Sequence, residues 1–352
     1  MSHYVLPLES SDCTLSVAGG KGANLSQLVR AAFPVPQGCV ITTLAYQAFT
    51  KANGIDGQIQ ELARSVPDDE PEALESQSRV LRQFFEEGFI SPDLEQDILS
   101  AHRQLTLSSP ALAIRSSAIA EDLPGRSFAG QHETYLNVCG ERQLLNAVRR
   151  CWSSLWTTRA LAYRRRHLPG FADLSLAVVV QQMAIAEASG VLFTINPLSN
   201  SREEMVINAA WGLGEAVVGG RVTPDLFVFD KATGRLKEAE IADKQVMTMT
   251  CASGTAEVAV KLQQQRQAAL NEEQMAALFR LGREIEAHFG TPQDIEWAVA
   301  ADRIYVLQSR PVTGFPTPDG ALRSSKRAVC EAPPGDDDWP VVRERLRSFL
   351  EL

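Results

Sequence analysis

Two stretches late in the chain carry chemistry-bearing side chains at alternate positions. One residue separates Asp294 from Glu296, and one separates Gln308 from Arg310. Alternate residues of a strand point to the same face, and Asp294–Val299 and Ile304–Arg310 both have strand character around a predicted hairpin, Ala300-Ala301-Asp302-Arg303. A register that sets Glu296 opposite Gln308 also sets Asp294 opposite Arg310. One face then gathers two carboxylates, an amide oxygen and a guanidinium. The carboxylate and amide oxygens are hard ligands suited to Mg²⁺ bridging nucleotide phosphates; the alternative is a solvated sheet face laced by a salt bridge. A one-residue slip would send Gln308 to the opposite face from Glu296. Ile295, Trp297, Tyr305 and Leu307 are expected on the core side.

Two further stretches could meet an anion. Gly19-Gly20-Lys21-Gly22-Ala23-Asn24 opens a helical pattern. The free N–H groups of a helix start suit phosphate, glycines allow close approach, and Lys21 adds a charge. The alternative is a glycine turn with a surface lysine. The spacing is not that of a Walker A loop. Ala113-Ile114-Arg115-Ser116-Ser117-Ala118 predicts an arginine emerging from a strand end into a hydroxyl-rich turn, placed to grip phosphate or to pair with Glu121 or Asp122. Ser127–Gln131 reads as a small loop before a strand at Thr134–Val138, either a cover over a triphosphate or an ordinary turn. Trp211-Gly212-Leu213-Gly214-Glu215 fails as a dinucleotide fingerprint because Val217 occupies the third glycine position.

These residues need a framework. Apolar spacing predicts helices over Asn24–Phe33, through most of 57–105, and over Leu144–Arg166 and Asn271–Phe289. Leu176–Gln181 is a continuous apolar, β-branched run, as in a strand buried on both faces. Gly190–Ile195, Glu204–Ile207 and Leu226–Phe229 are further strands. Proline and the acidic run Asp336–Asp338 mark a linker after Pro311, followed by a short helix at Val341–Leu350. Helices and strands do not alternate regularly, so a plain βαβ domain is disfavoured.

Composition narrows the class. The chain has 352 residues, 45% hydrophobic and 22% charged, with a net charge of −9; it predicts two packed units and argues against a polyanion-binding surface. Neither a membrane span nor a signal peptide is expected, which makes the cytoplasm the expected location with no membrane partner; the acidic balance predicts no nucleic-acid partner, while leaving room for a local basic site that holds nucleotide phosphates. The six cysteines lie too far apart for zinc knuckles or CxxC pairs and are expected to be small buried hydrophobes.

Taken together, the motifs resemble the N-terminal ATP-binding domain of the phosphoenolpyruvate synthase / pyruvate phosphate dikinase family. The resemblance runs in order through Gly19–Leu25, Val35–Thr42, Arg115–Pro124, Ser127–Val138, Cys151–Leu155, Glu187–Pro197, Asn208–Pro224, Asp294–Trp297 and Leu307–Pro311. It implies an α+β, ATP-grasp fold of two subdomains with the nucleotide in the cleft between them: residues 1–180 with the phosphate-contacting loops, 181–315 with the metal site, and 316–352 as linker and terminal helix. It further implies that Lys21 and Arg115 contact the ATP phosphates and that Gly130 and Thr134 lie in a covering loop. Gln181, Met183 and Ala184 would form the hinge that holds adenine, mostly through backbone atoms. Glu296 and Gln308 would ligate Mg²⁺ beside Asp294, and Arg310 would stabilise charge on the transferred group, leaving Lys21, Arg115 and Arg310 as the catalytic cations.

The sequence departs from the family pattern at Ile119, where threonine is usual, and at His132, where glutamine is usual. The family's phosphohistidine module is marked by Thr-Ser-His, and none of the five histidines here (His3, His102, His132, His167, His288) follows Thr-Ser. The resemblance therefore implies an ATP- and Mg²⁺-dependent phosphotransferase domain that passes phosphate to a histidine on a separate protein or module, and from there to a small-molecule acceptor. A self-contained ATP-grasp kinase and a non-catalytic nucleotide-binding subunit are the rival readings.

Overall fold

The computed structural model describes residues 3–59, 71–118, 133–167, 174–252 and 254–312. The chain divides into two compact units: Met1–Ala184 with Thr250–Ala256, and Ile185–Met249 with Glu257–Leu352. The expected terminal helix at Val341–Leu350, together with Ile119, Glu121, Asp122, Gly130 and His132, lies outside the described residues.

The first unit is built on a five-stranded sheet of order β1-β2-β5-β3-β4, from β1 (Val5–Pro7), β2 (Gly38–Ile41), β3 (Ala111–Ala118), β4 (Thr134–Cys139) and β5 (Leu176–Gln182). Every pairing in it is antiparallel. Helix α1 (Leu15–Arg30) covers one face, packing Leu25 and its neighbours against Val40, Ala177 and Val179. The other face is buried by Phe49, Phe85, Trp152 and Trp156 against Ile41, Ile114, Val178 and Val180. These aromatic residues come from α2 (Thr43–Ala52), α3 (Pro71–Glu87) and α5 (Glu141–Ser154) with its following turn; α4 (Pro92–Leu105) adds Leu94 and Ile98. Cover on both faces is why β5 reads as an unbroken apolar run. The helix expected over Leu144–Arg166 is two, α5 and α6 (Thr158–His167), because the chain turns at Leu155–Thr157.

The second unit has a six-stranded sheet of order β13-β12-β6-β7-β8-β9, again antiparallel throughout. Its strands are β6 (Ala188–Phe193), β7 (Glu204–Trp211), β8 (Asp225–Asp230), β9 (Leu236–Glu240), β12 (Gln293–Ala300) and β13 (Arg303–Pro311). A short helix, α7 (Glu215–Val218), follows β7, and β10 (Val246–Thr250) pairs with β11 (Thr255–Ala259). Helix α8 (Glu272–Phe289) starts with a capping box between Asn271 and Gln274. It lies so close to the sheet that a Cβ on Gly282 would stand 2.8 Å from Leu192. β1, β2, β9, β10 and β11 are not predicted by sequence pattern, because they are short or strongly polar.

Residues 225–269 are pinned by a fully buried ion pair. Asp225 accepts Lys244 Nζ and Ala242 N on one oxygen and Ala269 N on the other, and Lys244 also donates to Ala242 O. Removing one partner of such a pair strands a charge in the core. Lys244→Ala should therefore lose about 3–5 kcal/mol of unfolding free energy, measured by urea denaturation of the whole chain.

Among the described residues no helix is long and apolar enough to cross a membrane. Cys13, Cys39 and Cys151 are buried, and burial raises their thiol pKa values, to about 11 for Cys13 and about 12 for Cys39. Cys139 and Cys251 are exposed, contrary to expectation, because one closes an edge strand and the other sits in a hairpin turn.

Candidate functional site

In the first unit the candidate residues converge on the sheet face under α1. The helix starts earlier than its apolar spacing predicts, at Leu15, but it is broken at Gly19, whose backbone (φ 67°, ψ 178°) is not helical. Gly20-Lys21-Gly22 thus form the first turn of a restarted helix, as the glycine-rich spacing implies. The predicted end at Phe33 overshoots, since Ala32 has a positive φ of 63°. At Gly19 a side chain is excluded twice: by the left-handed φ and by Ser117 O, which a Cβ would approach to 2.2 Å.

Arg115 is not at a strand end. It lies inside β3, which pairs with β5 on one side and β4 on the other, and all eight residues of β3 are buried. The serines after it are not turn residues. Ser117 Oγ donates to Ala18 O (2.7 Å) and accepts from Gly22 N (3.0 Å), while Ser116 N and Oγ both donate to Glu133 O. Residues directly opposite in an antiparallel pair share a face. Arg115 stands opposite Thr134 and Val179, and Gln181 opposite Ala113 and Gly38, so Arg115, Thr134 and Gln181 share the face that Ser117 turns toward α1.

Gln181 is 2% exposed, and its Nε2 has no hydrogen-bond partner among the described residues. Met183 N donates to Ala111 O, and its sulfur accepts the N–H of Asn137, a residue at a β4 bulge with φ 57°. Ala184 is half-buried. Burial also raises the pKa of Glu133, on the reverse face, against the charges of Arg82 and Arg150.

In the second unit the predicted register is present. Asp294 pairs with Arg310 and Glu296 with Gln308; on β12's other side they meet Phe193 and Val191. The four side chains therefore share the sheet face that carries the apolar cluster of Val191, Phe193, Val206, Leu226 and Val228. Arg310 Nε donates to Asp294 Oδ2 at 2.8 Å, which fixes the plane of the guanidinium. Burial raises the Asp294 pKa, opposed by the Arg310 charge and hydrogen bond, with a smaller upward push from Glu296. On the reverse face Ser309 Oγ donates to Gln293 Oε1, and Gln293 N donates to Thr194 Oγ1.

The core-side expectation for β13 needs correction. Its tight turn, with Ala301 and Asp302 both at positive φ, pairs Ala300 with Arg303, one residue out of step with the Glu296–Gln308 pairing. A bulge that leaves Leu307 without an opposite number takes up the difference. Val306, not Tyr305 or Leu307, is therefore opposite Trp297, and both Val306 and Trp297 are fully buried.

The donor set around Glu296 was tested for a divalent cation. Among the described residues there is no group of three or more His, Cys, Asp or Glu side chains able to hold a metal. One half-buried carboxylate and one amide oxygen on the same rung do not make an all-protein cage. They do fit Mg²⁺, which is usually held by one or two protein ligands together with substrate phosphates.

Residues 15–324 match the family model described as pyruvate phosphate dikinase, AMP/ATP-binding domain. The chain belongs to this family. It is 41% identical over 302 residues to a probable phosphoenolpyruvate synthase of Archaeoglobus fulgidus, covering 85% of this chain and 40% of that one. It is 44% identical over 323 residues to a rifampicin phosphotransferase of Streptomyces sviceus (90% and 37%), and 37% identical to the phosphoenolpyruvate synthase of Pyrococcus furiosus (87% and 43%). The chain thus spans about two-fifths of the length of these relatives. It is an ATP-binding domain of a phosphotransferase family, with a mixed helix and sheet fold.

The partners of Ser117, and the roles of Asn137, Gln293 and the Asp225–Lys244 pair, are not legible in the sequence, because the contacting residues are separated along the chain. The break at Gly19 yields a direct test. Left-handed strain and overpacking each cost on the order of 1–3 kcal/mol, so Gly19→Ala should destabilise the protein by roughly 2–6 kcal/mol in chemical denaturation, whereas Gly254→Ala, whose Cβ meets nothing within 4 Å, should show only the strain.

Proposed function

We propose that this domain binds ATP as its magnesium complex and transfers a phosphoryl group to a histidine on a separate protein or module, which in turn serves a small-molecule acceptor. The observation that carries this reading is the pair of neighbouring rungs on one buried sheet face, Glu296–Gln308 and Asp294–Arg310. A ligand pair for a phosphate-bound cation there adjoins an oriented guanidinium. Family membership supports an ATP-grasp fold, with subdomains over residues 1–180 and 181–315 and both sets of residues serving one ATP molecule.

In this reading Arg115 grips the phosphates bidentately and Lys21 adds a point charge at a helix start. Thr134, directly opposite Arg115, hydrogen-bonds the same group with Gly130, and the Gln181–Ala184 segment holds adenine. Glu296 and Gln308 hold Mg²⁺, which when bound neutralises charge on the phosphate oxygens. Arg310, its plane set by Asp294, stabilises negative charge on the transferred phosphoryl group. Positioning and cations supply most of the catalysis in such transfers. The relatives that share this domain carry two different names, phosphoenolpyruvate synthase and rifampicin phosphotransferase, which supports an acceptor chosen outside it.

A nucleotide assay separating AMP from ADP, with and without a Thr-Ser-His phosphohistidine domain from a relative, tests the reaction. Calorimetry tests the site. Lys21→Ala and Arg115→Ala should each weaken ATP by about tenfold or more while leaving adenosine within about twofold. Equal losses for both ligands would refute the phosphate role. Glu296→Ala should lower ATP turnover by at least about 100-fold with an unchanged fold. Incubated alone with ATP, the chain should accumulate no alkali-stable phosphohistidine, and stoichiometric label on His132 would overturn the external-acceptor reading.

A further inference from the structure

A helix leaves its first amides without intrahelical acceptors, and the residue at its N-cap commonly supplies a side-chain oxygen to the second or third of them. The helix that restarts at Gly20 has Gly19 at that position, and glycine has no side chain to offer. Ser117 supplies the missing oxygen from β3, 95 residues away in sequence: its Oγ accepts from Gly22 N at 3.0 Å. The same oxygen donates to Ala18 O at 2.7 Å, closing the other side of the break. Ser117 is 0% exposed, so water cannot take over either bond.

The strand that provides this cap also carries Arg115, two residues earlier on the same face. Between them Ser116 ties the opposite side of the strand to Glu133 O, one residue before Thr134. Three consecutive residues of β3 thus carry the guanidinium, hold the strand bearing Thr134, and hold the backbone on both sides of Lys21.

We infer that Ser117 is a positioning residue for phosphate recognition: its hydroxyl, as acceptor to Gly22 and donor to Ala18, fixes the Lys21 backbone relative to Arg115. This rests on the reading of Lys21 and Arg115 as phosphate contacts. The chemistry demands a group that is donor and acceptor at one atom. Alanine would leave a buried N–H and a buried C=O unsatisfied, whereas threonine keeps the hydroxyl on a residue type suited to strands.

The test is a double-mutant cycle of Ser117→Ala with Lys21→Ala, read by calorimetry with MgATP and with adenosine, plus amide exchange at Gly22. Ser117→Ala should weaken ATP about five- to tenfold, leave adenosine within about twofold, and speed Gly22 exchange. Lys21→Ala should cost clearly less affinity in the Ser117→Ala background than in the wild type. Full additivity, or equal weakening of ATP and adenosine, would overturn the positioning role. If Ser117→Ala does not fold, Ser117→Thr takes its place: Gly22 protection and the full Lys21→Ala penalty should persist, and loss of both would overturn it. Were Lys21→Ala without effect in the wild type, the phosphate reading itself would fail and this role with it, an outcome distinct from additivity.

Discussion

Cross-strand register is the constraint on which the candidate residues of both units depend. In the first unit, one rung sets Thr134 opposite Arg115, and the neighbouring strand sets Gln181 opposite Ala113. In the second, alternate rungs pair Asp294 with Arg310 and Glu296 with Gln308. Because side chains alternate along a strand, a slip of one residue would turn a whole set of polar groups into the opposite face. Deep burial on both faces makes such slips costly in the first unit. In the second unit the turn and the polar rungs ask for registers one residue apart, and the bulge at Leu307 reconciles them.

Placing polar groups on buried rungs demands that their hydrogen bonds be met locally. The structure does so with short strings of partners. Arg310 is steadied by Asp294, whose ionised form is disfavoured by burial and favoured by the guanidinium. On the reverse side Gln293, Ser309 and Thr194 lock the same two strands. Around β3 the hydroxyls of Ser116 and Ser117 tie down the two segments adjoining Arg115. Such networks leave side chains few alternative positions, which suits the positioning role proposed for them.

The two compact units divide the candidate residues between them. Every described candidate for phosphate or base contact before Ile185 falls in one compact unit, and Asp294, Glu296, Gln308 and Arg310 fall in the other. In the proposed function the domain activates the phosphoryl group, and the histidine carrier and final acceptor determine where it goes.

Much of the candidate site was legible from local sequence, because its signals are local. The alternation of Asp294 with Glu296 and of Gln308 with Arg310, and the glycines around Lys21, depend on strand and helix periodicity and on residue type alone. What the sequence left open were features set by partners distant in the chain. The hydroxyls of Ser116 and Ser117 read as a turn because nothing nearby announced Ala18, Gly22 or Glu133 as their partners. Tyr305 and Leu307 were assigned to the core by strict alternation, which a bulge interrupts. Nothing in the local sequence pairs Asp225 with Lys244; folding encloses them together. Local periodicity encodes which residues share a face; only tertiary packing decides which strand lies beside which, where a register must shift, and which buried polar atoms find one another.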